Sequence, residues 1–65
     1  MTTFGEVKEW MEQAKMQQCS HVLIVRMMGT QQHFPVFVRQ TDDLNEKIKM
    51  YNGVNHQIVD EVIPV

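Results

Sequence analysis

The stretch His33–Gly53, HFPVFVRQTDDLNEKIKMYNG, decides the fold. Its first seven residues alternate. Phe34, Val36 and Val38 point one way; His33, Pro35, Phe37 and Arg39 point the other. A period of two marks a half-buried strand. Pro35 has no amide proton for a ladder hydrogen bond, so this strand belongs at a sheet edge. A helix follows. Thr41 is its expected N-cap, and Asp42 and Asp43 place negative charge in the first turn, where the helix dipole favours it. Leu44, Ile48 and Tyr51 form its apolar stripe. Asn52-Gly53 is the stop signal, Gly53 suiting the left-handed position past a helix end.

Upstream, His21–Met28 (HVLIVRMM) holds four consecutive apolar residues, Val22–Val25. A short continuous run predicts a strand covered on both faces or nearly so. Gly29 is the natural turn residue before the edge strand. A hairpin loop centred near Thr30 would set Leu23 opposite Phe37 and Val25 opposite Pro35. At the start of the chain, Thr3 and Glu6 have the spacing of a capping box. Phe4, Val7, Trp10, Met11 and Ala14 then recur at three and four residues, predicting a helix over Phe4–Gln17. Downstream, NHQIVDEVIPV is a last strand whose apolar residues Ile58, Val59, Val62 and Ile63 are interrupted by Asp60-Glu61, the pattern of a β-bulge.

The element order is α-β-β-α-β in one α+β domain spanning residues 1–65. With the proline strand at an edge and the apolar strand in the middle, the sheet order is 2-1-3. Both helices are expected on one face of a two-layer structure. The hairpin register makes one apolar face of Leu23, Val25, Met27, Pro35 and Phe37, and a second of Val22, Ile24, Phe34, Val36 and Val38. Two helices on one side leave an apolar face for a partner, and such a patch on so small a protein is an interaction site. Leu23, Val25, Met27, His33, Phe37 and Arg39 are the candidate partner-binding residues. Trp10 is the single anchor expected on the first helix, either in the core of the helix-sheet contact or at the edge of a partner site.

Sixty-five residues can bury little core; a chain of that size hides only about 60% of the surface its unfolded form exposes. With one cysteine, Cys19, no intrachain disulfide is possible, which fits a reducing cytoplasm. Six Lys and Arg face eight Asp and Glu, a net charge of −2, with the basic residues scattered. Such a chain lacks the basic stripe of a nucleic-acid binder. No apolar run reaches membrane-span length and the N-terminus lacks signal-peptide character. Neither nucleic acid nor membrane is an expected partner, and a cytoplasmic location is expected.

Chemistry-bearing residues do not form a motif. His21, His33 and Cys19 lack the paired spacing of metal ligands, and the hairpin puts His21 and His33 at opposite ends. His56 lies near the His33 end but across the central strand, about 10 Å away at the strand spacing. No metal or cofactor is expected. Cys19 follows a helix C-terminus, where the dipole disfavours a thiolate. Gly5, Gly29 and Gly53 are isolated and make no phosphate loop. The chain is not expected to be an enzyme. Met27 and Met28, at the end of the central strand, serve either as core filling or as an adaptable contact surface.

HVLIV, FPVFV and the acidic-capped helix ending MYNG together resemble uncharacterised small proteins encoded by phages and prophages, over about His21–Val62. The strand-helix-strand half is also similar in layout to small phage inhibitors of host RNA polymerase. The resemblance implies a protein that binds a host enzyme or defence component. The residues themselves point to a non-catalytic protein-binding module, docking through an open sheet face or edge. The alternative is a homo-oligomer that binds a small molecule in a pocket between subunits.

Overall fold

A computed structural model describes residues 4–65. The elements are α1 (Phe4–Met16), β1 (Cys19–Met27), β2 (His33–Arg39), α2 (Leu44–Tyr51) and β3 (Gln57–Pro64). The three strands form one antiparallel sheet in the order β2-β1-β3. The expected cap at Thr3 lies outside the described residues.

α1 stops at Met16 because the chain must reverse. Gln17 N–H still donates to Gln13 O and Gln18 N–H to Lys15 O, and Gln18 then takes a positive φ of 59°. Two residues therefore suffice to turn the helix back onto β1, which starts at Cys19 rather than His21. α2 starts later than the Thr41 cap predicts. Asp43 is the N-cap, its carboxylate accepting from Asn45 N–H at 2.9 Å and Glu46 N–H at 3.3 Å. Asp42 is engaged elsewhere: its carboxylate accepts from Arg39 N–H at 3.1 Å, and its own N–H donates to Arg39 O at 3.0 Å. The acidic pair thus divides between ending the strand and starting the helix. Gly53 has the expected positive φ, 80°.

The two helices lie on opposite faces of the sheet, not on one. Ala14 of α1 is buried with Cys19, Val22 and Ile24, and Val7, Trp10, Phe37, Ile63 and Val65 pack around them. Leu23, Val25, Val36 and Val38 form a separate cluster, against which Leu44, Ile48 and Tyr51 of α2, with Phe34 and Val59, are packed. Successive residues of a strand face opposite ways. The run Val22–Val25 therefore needs cover on both sides, and one helix on each side supplies it. Each face of the sheet carries one helix, and the two-layer arrangement becomes three layers.

The hairpin register also differs by one residue. Leu23 pairs with Val36, Val25 with Phe34 and Arg26 with His33. The turn is centred half a residue earlier than Thr30. Thr30 N–H closes it onto Met27 O at 3.2 Å, and Gly29 sits at φ 85° in the position that type II turns reserve for such a residue. A one-residue slip transfers a whole strand to the other face. Phe34, Val36 and Val38 accordingly join Leu23 and Val25, while Pro35 and Phe37 join Val22 and Ile24. The bulge in β3 is present: Ile24 pairs with Glu61 and Val25 with Val59, leaving Asp60 as the extra residue.

Both outer strands are guarded against further pairing. Val65 N–H donates to Ser20 O at 3.0 Å, so even-numbered residues at that end of β1 direct their backbone towards β3, and His21, Leu23 and Val25 towards β2. Their partners Val38, Val36 and Phe34 face inward, which leaves Pro35 and Phe37 facing the free edge. Arg39 N–H, next in that row, is taken by Asp42. On β3, Pro64 occupies an outward position opposite His21, Asn52 Oδ1 accepts from Val59 N–H, and Gly53 N–H donates to Gln57 O. Prolines and side-chain clips on edge strands are a known defence against sheet-to-sheet aggregation.

Candidate functional site

Two places gather polar or aromatic side chains. The first crosses all three strands on the α1 face. Asp60, the unpaired residue of the bulge, accepts from Arg26 Nε of β1 at 2.9 Å and lies 2.8 Å from His33 Nε2 of β2. Arg26 and His33 are direct cross-strand partners, so the three groups form one short row. The side chains are 34%, 28% and 21% exposed for Arg26, Asp60 and His33. The Arg26 guanidinium holds the Asp60 carboxyl below the usual carboxylate range; partial burial opposes this and the His33 hydrogen bond adds to it. An ionised carboxylate only accepts, so His33 Nε2 carries the proton. His33 Nδ1 is buried with no partner among the described residues.

Beside this row is a hollow of about 200 Å³ lined by Val7, Ile24, His33, Asp60 and Glu61. A carboxylate behind a histidine is two-thirds of a nucleophile-activating triad. Here the outer nitrogen is buried, and among the described residues no hydroxyl or thiol is bonded to it. At the opposite end of β1, Ser20 Oγ lies 2.9 Å from His21 Nδ1, but Ser20 Oγ also reaches Val38 O at 3.3 Å and no carboxylate is bonded to His21 among the described residues. The Asp60 row is a cross-strand tie. It fastens both edge strands to the centre of the sheet.

The second place is a groove of about 580 Å³ along the free side of β2. Phe34 and Tyr51 form one wall, their rings edge-on at 6.5 Å and 68°. Pro35 and Phe37 lie along the strand, and Arg39, Asp42 and Lys47 close the far end. Phe34 and Phe37 belong to opposite faces of β2, so the hollow wraps around the strand edge. A second hollow of about 570 Å³ continues past Arg39 to Gln17, Gln18, Gln40 and Thr41.

The candidate partner residues do not share a surface. Leu23 and Val25 are fully buried beneath α2. Met27 is exposed at the strand end, its sulfur 3.6 Å from Gln57 Nε2. His33 is held in the Asp60 row, and Phe37 packs against the cluster under α1. Only Phe37 and Arg39 line the β2 groove. The register shift and the two-sided helix cover cause this dispersal. Tyr51, Lys47 and Asp60 were not candidates from the sequence. Asp60 had a usable signal: Arg26, His33 and Asp60 each break an apolar strand at the same end of the sheet. Tyr51 and Lys47 had none, because their placement depends on which face α2 covers.

Among the described residues no group of three or more His, Cys, Asp and Glu side chains converges to hold a metal ion, and no helix is long and apolar enough to cross a membrane. No protein-family model, curated protein or solved structure matches the chain.

Proposed function

We propose that the chain is a small non-catalytic protein-binding module that docks through side chains lining the β2 groove. The observation that carries this is the groove's composition: the Phe34–Tyr51 pair and the free edge of Phe37 beside Arg39. Aromatic residues and arginine are enriched where protein partners dock. Docking through an open sheet face, the simplest reading of the sequence, has no place in a sheet covered on both sides. Extensive strand addition is also disfavoured, because Pro35 and the Asp42 clip interrupt the β2 edge. The resemblance to phage-encoded proteins would make the partner a host protein in the host cytoplasm. Immobilised protein and a bacterial lysate test this reading. A retained protein that is lost with Tyr51→Ser, in a variant with a native circular dichroism spectrum, supports it. Retention that ignores the variant, or no retained protein, refutes it.

A further inference from the structure

We infer that the occupant of the β2 groove is an extended acidic segment of the partner protein, with a carboxylate on Arg39; this rests on the docking role proposed above. Asp42 fixes the Arg39 backbone twice, its carboxylate accepting from the Arg39 N–H at 3.1 Å and its N–H donating to the Arg39 O at 3.0 Å. The guanidinium itself has no partner among the described residues. It stands where the two hollows beside β2 meet.

The neighbouring acids do not cancel this charge. Asp42 serves the Arg39 N–H and sits 4.0 Å from Lys47 Nζ, and Asp43 is committed to capping α2. The groove therefore holds Arg39 and Lys47 against a single carboxylate, on a chain whose net charge is −2. A guanidinium offers paired donors that match a carboxylate, so an acidic partner residue makes two parallel charge-assisted bonds there. The wrapped, open shape of the groove suits a chain rather than a compact small molecule, which needs a site that encloses most of its surface. Phe37, between Pro35 and the clipped Arg39, turns its N–H and C=O to the groove and registers the segment, while the Phe34–Tyr51 wall, five residues from Arg39 along the strand, takes an apolar side chain at the other end of the segment.

The test is selection of random 12-residue peptides displayed on yeast against the intact protein, followed by titration of the best synthetic peptide. Enriched peptides with an excess of Asp and Glu, binding at least tenfold weaker to Arg39→Glu and to Arg39→Gln and weakening as salt rises, support the inference. Enriched peptides without an acidic excess, or binding unchanged in both Arg39 variants, overturn it. If such neutral peptides are still lost with Tyr51→Ser, the groove remains the docking site and only the acidic occupant is wrong. No enrichment from the library overturns both the occupant and the groove.

Discussion

Asp60→Asn isolates the charge of the cross-strand tie. The asparagine is isosteric and its carbonyl oxygen can still accept from Arg26, so the variant removes charge while keeping shape. Asp60 contributes bonds of 2.9 Å to Arg26 and 2.8 Å to His33, but all three side chains are between one-fifth and one-third exposed. Exposed pairs contribute roughly 0.2–1 kcal/mol each, so the expected loss at pH 7 is about 1 kcal/mol. That corresponds to a fall of about 4–8 °C in Tm for a domain this small. The pH dependence carries the sharper signature. The folded carboxyl titrates below its unfolded value, with Arg26 the main cause. Its stabilisation is thus complete above about pH 3.9, the ordinary Asp value, and disappears as pH falls through the lower folded value. Urea unfolding of both proteins at pH 7, 5, 4 and 3 should show a gap that is present at pH 7 and narrows as pH falls below 4. A gap that is absent at pH 7, or that persists undiminished at pH 3, would refute the electrostatic role assigned to Asp60.

Val36 is buried beneath α2, so Val36→Asp places an unpaired charge there at a cost of several kcal/mol; circular dichroism should report an unfolded chain, since a domain of this size has about 3–5 kcal/mol to lose. The opposite-face arrangement predicts that Val25→Ala and Ile48→Ala, which act on one cluster, are non-additive by about 0.5 kcal/mol or more, whereas Ile24→Ala and Ile48→Ala add to within about 0.5 kcal/mol; the reverse pattern in denaturant titrations would place α2 on the other face. Pro35→Val restores an outward amide on β2 and should produce concentration-dependent association by sedimentation velocity; a variant that sediments as the parent does would show that Pro35 does not guard the edge.

Local chemistry alone determines most of the elements. Hydrophobic period, the Asn52-Gly53 stop and the acidic pair before Leu44 mark both helices and all three strands to within a few residues, and β2 without error. Pro35 and the apolar run Val22–Val25 are enough for the 2-1-3 order, because an amide-less residue needs an edge and a two-sided apolar strand needs a centre. Asp60-Glu61 shows the bulge as a break in an apolar strand.

Tertiary structure decided how these pieces face one another. The hairpin register depends on the parity of the loop, which Gly29 and Thr30 resolve through one turn hydrogen bond at 3.2 Å. A shift of one residue costs nothing in local propensity, yet it moves Phe34, Val36 and Val38 to the other side of the sheet. The side taken by each helix was equally beyond local reading. α1 and α2 both carry an apolar stripe suited to either face, and only the need to bury Val22 and Ile24 as well as Leu23 and Val25 separates them. The groove follows from that placement. Tyr51 and Lys47 reach β2 because α2 covers its Phe34 face, and a sequence in which neighbours are three or four residues apart carries no record of a contact made across the sheet.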